Sequence, residues 1–329
     1  MARALISTSP ATVEEFGRWL ASRLLLAGLD EHGIEWELHQ PWLPRPDLAD
    51  FDAVVCWSYA QFTNNYVYWA RRFERRARKL GLAVVNSAEG CDTRHSYNLA
   101  RWKAAGIPCA DFRHFRRFED IDLEYPLILR VDGRHRGRDM FKVYTAKEAQ
   151  ALIRYRDEAF VNRPPGHVRP PRLDLAIQFV DTADRQGVYR KWRVYVAGDR
   201  ILPRQLALTR EWKANLWTCE VSEESKEEDA QFRAKGIADP TLLIQAARAL
   251  RSDFIALDFT ILPDGRYIFW EGNRHFNMTG DEDYKMDKLH EATGRTAEHR
   301  AEDDRLLGTL MGRWVAERVA GCAVRERAA

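Results

Sequence analysis

The stretch 254–280 reads FIALDFTILPDGRYIFWEGNRHFNMTG, and it decides how the rest of the chain is interpreted. Two apolar runs flank the tetrapeptide Pro-Asp-Gly-Arg at 263–266. An Asp-Gly pair between β-rich runs is a strong hairpin signal. A hairpin of this length predicts that Asp258, in the first strand, lies beside Glu271 and Asn273, which end the second strand.

The oxygen-bearing side chains of this hairpin predict a divalent-cation site. Glu271 and Asn273 are two residues apart, so on a strand they point to the same face. Two carboxylates and an amide oxygen suit Mg²⁺ better than Zn²⁺, because Mg²⁺ prefers hard oxygen ligands. Asp258 stands within an apolar strand, where an unpaired charge is costly, so a cation or strong donor is expected beside it. The alternative, that these are solvated strand-end charges, stays open.

Composition narrows the class of protein. The 329 residues are enough for two domains, or three subdomains. The formal net charge of +2 gives no global electrostatic argument for a nucleic-acid or membrane partner. The five cysteines are odd in number and scattered, which favours free thiols in a reducing compartment. We find no apolar run of membrane-spanning length and no N-terminal signal pattern, so a cytoplasmic location is the default expectation.

The first 90 residues alternate between strand and helix patterns. A helix is predicted from Val13 to Ala27 with Gly28 as its C-terminal stop, and a second from Tyr66 to Leu80. Strands alternating with helices predict a parallel sheet covered on both faces. No Gly-x-Gly-x-x-Gly motif follows the first strand, so a dinucleotide fingerprint is absent. The predicted strands are 3–7, 34–38, 51–57 and 82–86.

The remainder of the chain predicts antiparallel strands with interspersed helices. A strand at 127–131 is followed by the basic turn DGRHRGRD at 132–139 and a return strand at 141–144. The segment 189–208 predicts a second hairpin, which turns at Ala-Gly-Asp-Arg. Further elements are predicted: helices at 146–156, 240–250 and 306–319, and a strand at 175–180.

Clusters of cations precede the carboxylate hairpin in the sequence. Cations beside carboxylates in a nearly neutral protein predict a site for a polyanion with a metal, which a nucleoside triphosphate with Mg²⁺ satisfies. Single-stranded nucleic acid would use similar arginines with aromatic side chains, but would not require the three oxygen ligands. The clusters are Arg130 alone, then Arg190, Lys191 and Arg193, then Arg204, Arg210 and Lys213.

The order of these segments resembles the ATP-grasp superfamily, and within it the carboxylate–amine ligases. These include D-alanine–D-alanine ligase, glutathione synthetase and the ligases that add glutamate to a ribosomal protein. The resemblance is clearest from about Asp92 to Gly280. It implies an α/β protein in which a Rossmann-like pre-ATP-grasp domain (1–90) precedes a grasp body of two α+β subdomains. These would be a small subdomain with the phosphate loop (91–182) and a C-terminal subdomain with the Mg²⁺ site (183–329).

The resemblance assigns roles to matching positions. Arg130 stands where the family usually has a phosphate-binding lysine, and Gly137 matches a glycine of the phosphate-covering loop. The segment 177–181 matches the hinge that binds adenine and ribose, and Arg193 matches the arginine that steadies the acyl phosphate. The implied set is Arg193, Lys213 and Asn215 as catalytic; Arg130, Gly137, Gln178, Phe179, Val180, Asp181 and Lys191 as nucleotide-binding; and Asp258, Glu271 and Asn273 as Mg²⁺ ligands.

The chain departs from the family pattern in two places. No lysine stands near Arg94 or His95, where a nucleotide-contacting lysine is usual. After Asn273 the sequence continues as RHFNMTG instead of small residues and proline. We therefore expect the acceptor pocket to be bordered by Arg274, His275 and Asn277, and the substrate also to meet Arg204 and Arg210.

The resemblance implies an ATP- and Mg²⁺-dependent ligase, with Mn²⁺ as an alternative ion, that joins a carboxylate to an amine through an acyl phosphate. The expected partners are small-molecule or peptide substrates, with no nucleic acid and no membrane, and a homodimer is one open oligomeric state. Two alternatives stay open: a kinase of the same fold that phosphorylates a small-molecule hydroxyl, and a non-catalytic nucleotide-binding module.

Overall fold

Three four-stranded sheets form the framework of the protein. The computed structural model describes residues 1–8, 12–17, 20–44, 46–57, 64–92, 94–134, 137–161, 171–214, 218–274, 294 and 296–328. The three sheets follow one another along the chain, within the ranges 1–90, 91–182 and 183–329. The domain boundaries themselves stay a prediction. The last helix lies in the range 183–329 but packs against the first sheet, so the three ranges are not structurally separate.

The first sheet is parallel, as the alternating pattern predicts. Its strands are β1 (Arg3–Ser7), β2 (Glu35–His39), β3 (Ala53–Cys56) and β4 (Ala83–Val85), in the order β2-β1-β3-β4. The central strands are buried on both faces because they are continuous short apolar runs. The accompanying helices are α1 (Val13–Gly17), α2 (Leu20–Glu31) and α3 (Asn64–Lys79).

The second sheet is antiparallel and carries the basic turn. Its strands are β5 (Phe112–His114), β6 (Leu127–Arg130), β7 (Met140–Val143) and β8 (Leu175–Gln178), in the order β5-β8-β6-β7. Helix α4 (His95–Ala104) precedes it, and α5 (Ala146–Val161) lies between β7 and β8. Thr145 and Glu148 cap the start of α5, since the Glu148 amide donates to Thr145 Oγ1 at 3.2 Å and Glu148 Oε2 accepts from the Tyr144 amide.

The third sheet is also antiparallel and contains most of the stretch 254–280. Its strands are β9 (Tyr189–Ala197), β10 (Arg200–Thr209), β11 (Phe254–Ile261) and β12 (Tyr267–Asn273), in the order β10-β9-β11-β12. The predicted hairpin is confirmed: β11 pairs with β12, and Gly265 takes the positive φ of 82° that the turn requires. Helices α6 (Glu223–Lys235) and α7 (Thr241–Ala249) connect β10 to β11.

A long C-terminal helix, α8 (Ala297–Ala328), joins the first and third sheets into one core. Its Leu307, Met311 and Val315 pack in the same buried cluster as residues of β1, β3, β9 and β11. None of the helices in the described ranges is both long and apolar enough to cross a membrane. Three short 3₁₀ segments complete the described elements: Leu48–Asp50, Ala88–Cys91 and Phe118–Asp120.

The prediction that Gly28 ends the first long helix is wrong. Helix α2 continues through Gly28 to Glu31. A Cβ on Gly28 would lie 1.9 Å from the carbonyl oxygen of Gly308, and one on Gly312 would lie 1.9 Å from that of Gly28. Gly28 is thus required for the close crossing of α2 and α8 and not for a turn.

Candidate active site

A row of charged side chains crosses three adjacent strands of the third sheet. The register places Arg193 of β9 opposite Asp258 of β11, and Asp258 opposite Glu271 of β12. A β-bulge follows Asp258, since Phe259 pairs with Phe269. Directly opposed residues on neighbouring strands point to the same face, so the sheet itself assembles this row.

Asp258 is the most buried member of the row, at 2% exposure. Arg193 binds it as a fork: Nε donates to Oδ1 at 2.6 Å and Nη2 donates to Oδ2 at 2.8 Å. Lys191 Nζ lies 3.3 Å from the same Oδ2. We expected a cation or strong donor beside Asp258 because its charge stands in an apolar strand. Two protein cations, Arg193 and Lys191, take this place.

The two cations decide the ionisation of Asp258. Burial alone would raise the pKa of Asp258, but the charges of Arg193 and Lys191 outweigh it and hold the pKa below the usual value. Burial likewise disfavours the charged form of Arg193, and the Asp258 carboxylate more than offsets this, so the pKa of Arg193 is raised. Both groups are ionised at neutral pH, and the pair is a charge-assisted one.

Glu271 and Asn273 are the predicted metal ligands that remain accessible. They are two residues apart in β12, and both are partly exposed. Two hard oxygen donors on one strand face fit a Mg²⁺ ion that completes its shell with water and phosphate oxygens. Asp258 fits less well, because both its oxygens are bonded to cations. In the described parts of the chain, no three His, Cys, Asp or Glu side chains are arranged to hold a metal ion.

Helix α4 supplies a neighbour of Glu271 that sequence reasoning did not assign. His95 Nε2 lies 3.6 Å from Glu271 Oε1, and Asn98 Nδ2 donates to the carbonyl oxygen of Gly272 at 3.1 Å. These contacts fix the end of β12 against the first turns of α4. His95 stands beside the position where the resemblance leads one to expect a lysine. The missing lysine was the sequence signal that could have drawn attention to His95.

A second group of cations lies at the basic turn of the second sheet. Lys213 reaches this turn from the loop after β10, and its Nζ donates to the carbonyl oxygens of Gly137 at 2.9 Å and Met140 at 3.2 Å. Gly137 has a φ of 66°, and a Cβ there would lie 3.0 Å from Lys213 Cδ. The positive φ favours glycine at 137, and a side chain there would also displace the Lys213 side chain slightly.

The charges of the two groups interact. Arg130, at the end of β6, is 4% exposed; burial lowers its pKa, and the nearby carboxylate of Glu271 acts against this. Burial and the charge of Arg130 lower the pKa of Lys213. Arg130, Lys213 and Glu271 thus belong to one electrostatic environment, to which the second and third sheets both contribute.

The predicted hinge lies between these sheets. The Phe179 amide donates to the carbonyl oxygen of Pro126 at 3.2 Å, and the Gln178 side chain donates to that of Glu124 at 2.8 Å. Sequence reasoning missed Lys142, whose Nζ lies 3.4 Å from the centroid of the Phe179 ring. The hinge comprises Gln178, Phe179 and Val180, all partly buried, and the exposed Asp181.

An aromatic ring packs against this hinge. Trp212 meets Phe179 edge-on, with ring centroids 6.2 Å apart. Lys213 Nζ in turn lies 5.7 Å from the Trp212 ring. The loop that contributes Lys213 to the basic turn therefore also contributes an aromatic wall beside the hinge.

Two predicted substrate-binding arginines, Arg204 and Arg210, have acidic partners in the protein. Arg204, 3% exposed, lies 3.5 Å from Asp303 and 3.3 Å from Asp304 of α8. Arg210 is exposed and pairs with Glu220 at 3.0 Å. Their substrate roles stay predictions, and these contacts favour structural roles. The predicted residues Asn215, His275 and Asn277 lie outside the described residues.

Arg274 is buried at 2% exposure between the first and third sheets. Its Nη2 donates to the carbonyl oxygens of Ser87 at 2.6 Å and Arg251 at 2.7 Å, while Nε donates to Ser252 Oγ at 2.8 Å. Its Nη1 lies 3.0 Å from Cys91 Sγ. The expected place at the acceptor pocket stays a prediction, and these contacts favour a role in holding the two sheets together.

Comparison with solved structures identifies the fold. The chain is similar to the D-alanine-D-alanine ligase from Coxiella burnetii, with a TM-score of 0.51, 13% identity, and coverage of 99% of this chain and 98% of that one. A RimK domain protein ATP-grasp from Sphaerobacter thermophilus DSM 20745 covers 96% of this chain and 100% of its own, at 18% identity and a TM-score of 0.49.

A D-alanine-D-alanine ligase from Bacillus anthracis, complexed with ATP, covers 97% of this chain and 98% of its own, at 14% identity and a TM-score of 0.48. No protein-family model matches the sequence, and no curated protein matches it significantly. The likeness to the Coxiella burnetii enzyme extends over nearly the whole of both chains, and at this identity it bears on the fold alone. The chain therefore has the fold of that D-alanine-D-alanine ligase.

Proposed function

We propose that the protein is an ATP-dependent ligase that joins a carboxylate to an amine, with release of ADP and phosphate. One observation carries the proposal: the Arg193–Asp258–Glu271 row lies in the same electrostatic environment as Arg130 and Lys213 at the basic turn. Cations from two sheets that meet near accessible oxygen ligands suit a bound triphosphate. The likeness to ligases of the same fold supports this assignment.

The chemistry begins with the weakness of a carboxylate as an electrophile, since its leaving group would be oxide. In the proposed first step, a substrate carboxylate oxygen attacks the γ-phosphorus of ATP, the bond to the β-phosphate oxygen breaks, and ADP leaves. In the second step the amine attacks the carbonyl carbon of the acyl phosphate. The bond to the phosphate oxygen breaks, the amine loses a proton, and the amide and inorganic phosphate are released.

The residues of this chain would act by positioning and by charge. Arg130 and Lys213 would bind phosphate oxygens, with Arg130 as a fork in place of the family's point-charged lysine. Arg193 would face the charge that develops on the acyl phosphate and its tetrahedral adduct. Trp212 and the basic turn at 132–139 would exclude water, which otherwise hydrolyses the acyl phosphate.

Glu271 and Asn273 would hold Mg²⁺, which when bound neutralises the charge of the phosphates during transfer. Their placement on one strand face, with Glu271 partly exposed, supports this assignment. Manganese shares the preference for oxygen ligands and could replace magnesium.

The test is a screen for ADP release in the presence of Mg²⁺-ATP, with amino acids and short peptides supplied as pairs of acid and amine. We expect ADP release that depends on both substrates, with an amide as product by mass spectrometry. A stable phosphorylated alcohol would instead identify a kinase. Absence of nucleotide binding would leave the ligase proposal without support.

A double variant, Asp258→Asn with Glu271→Gln, tests the site itself. We expect turnover to fall by at least ~10³-fold, because the carboxylate that accepts the Arg193 fork and the proposed metal ligand are both removed. The double variant Asp264→Asn with Glu298→Gln is the matched control, since both of its acids are exposed and neither belongs to the row. Unchanged turnover in the first variant would contradict the proposed site.

A further inference from the structure

The carboxylate of Asp258 is bonded to cations at three positions. Its Oδ1 accepts from Arg193 Nε at 2.6 Å, and its Oδ2 accepts from Arg193 Nη2 at 2.8 Å. Lys191 Nζ lies 3.3 Å from Oδ2. An ionised carboxylate offers about four acceptor positions. With the side chain only 2% exposed, little room remains on Asp258 for a divalent ion.

The sheet geometry explains why both cations reach the same carboxylate. Lys191 and Arg193 are two residues apart in β9, so they stand on the same face of the sheet. Strand β9 pairs directly with β11, with Arg193 opposite Asp258, and the longer reach of Lys191 covers the diagonal. The arrangement follows from the strand register and does not depend on a flexible loop.

Lys191 occupies a position that a second divalent ion would need. Sites with two metal ions share bridging oxygens and separate the ions by about 3.5–4 Å. A second ion beside Glu271 would have to use the oxygens of Asp258, which is the residue paired with Glu271 across the strands. An ammonium is a compact point charge with three donors, so Lys191 can bind Asp258 and still offer donors to a phosphate oxygen.

We propose that Lys191 is a resident cation that replaces one divalent ion, so that the triphosphate is bound with a single divalent ion held by Glu271 and Asn273. Asp258 then positions Arg193 and Lys191 and is not itself a metal ligand. This inference rests on the proposed function, because it assumes that a nucleotide binds at the site.

The number of bound ions is measured by titrating the full-length protein with Mn²⁺ in the presence of a non-hydrolysable ATP analogue, followed by electron paramagnetic resonance. We expect one Mn²⁺ per nucleotide and no signal from a spin-coupled pair. In Lys191→Gln, which removes the ammonium from Asp258 Oδ2, we expect the ratio to rise to two with a coupled-pair signal. Lys191→Arg retains the cation and should keep the ratio at one.

Lys235→Gln is the matched control, because Lys235 is exposed and its Nζ contacts only Gln231 Oε1, at 3.4 Å, among the described residues. The number of Mn²⁺ ions per nucleotide in Lys235→Gln should equal that in the unmodified protein. Two Mn²⁺ per nucleotide in the unmodified protein would overturn the inference and leave the proposed function intact, as would a ratio of one in Lys191→Gln. Failure of the analogue to bind at any Mn²⁺ concentration would overturn the proposed function together with the inference.

Discussion

Replacing Arg274 by methionine separates a structural role for this residue from a substrate role. The guanidinium donates to two backbone carbonyl oxygens, of Ser87 and Arg251, and to Ser252 Oγ. Methionine fills a similar length of side chain but donates no hydrogen bond. The variant therefore leaves buried acceptors without this donor, while most of the packing is retained.

The expected loss of stability follows from the hydrogen bonds. Bonds from a charged donor contribute about 1.5–3 kcal/mol each, and the two carbonyl contacts dominate because they are the shortest, at 2.6 and 2.7 Å. We expect the free energy of unfolding of Arg274→Met to fall by about 4 kcal/mol. The backbone at Gly90 is fitted to this guanidinium, since a Cβ there would lie 2.6 Å from Arg274 Nη2.

The assay is urea unfolding monitored by tryptophan fluorescence. The slope of the unfolding free energy against urea concentration should be equal for the variant and the unmodified protein. Arg210→Met is the matched control: its side chain is 64% exposed, and its loss should stay within about 0.5 kcal/mol. A loss below about 1 kcal/mol in Arg274→Met, together with a raised KM for the acid or the amine, would refute the structural role and favour the acceptor-pocket prediction.

Two further predictions concern packing and pH. Gly28→Ala should lower the free energy of unfolding, measured by the same urea unfolding, by at least ~2 kcal/mol, because the new methyl group would overlap the backbone of α8 at Gly308. Gly321→Ala, where nothing lies within 4 Å, is the control and should be neutral or stabilising by up to ~1 kcal/mol. The hydrogen bond from Arg190 lowers the pKa of Asp184 to about 2. The ionised Asp184 carboxylate therefore contributes fully to the stability of the fold above about pH 4, and this contribution is lost as the pH falls toward 2. Asp184→Asn should flatten the fall of stability over that window, and an unchanged slope would contradict this.

Parts of the candidate site could be predicted from the sequence where they depend on residues within one short segment. The hairpin at 254–273 was readable because Asp-Gly fixes the turn and strand alternation fixes which side chains share a face. The apolar neighbours of Asp258 in its strand also indicated that it needs a positive partner. They could not indicate which cation that would be, because Arg193 is 65 positions away and is brought beside Asp258 by the pairing of β9 with β11.

Other features depended on packing that no local pattern encodes. Lys142 was missed because its closeness to Phe179 arises from the fold of the second sheet, where β6 separates β7 from β8. Gly28 looked like a helix stop because glycine often ends helices, whereas its role depends on a helix 280 positions later that crosses at that point.

The sequence by itself determined the alternation of strands and helices in the first 90 residues, the antiparallel strands that follow, the hairpin, and the residue types that suit a triphosphate and a hard cation. These follow from periodicities of two and about 3.6 residues and from turn chemistry, which act over a few neighbouring residues. The tertiary structure alone decided that Lys191 and Arg193 both bind Asp258, and that Arg274 joins two sheets. Those contacts depend on strand register and on the packing of sheets against one another, and both are settled only when distant segments share one core.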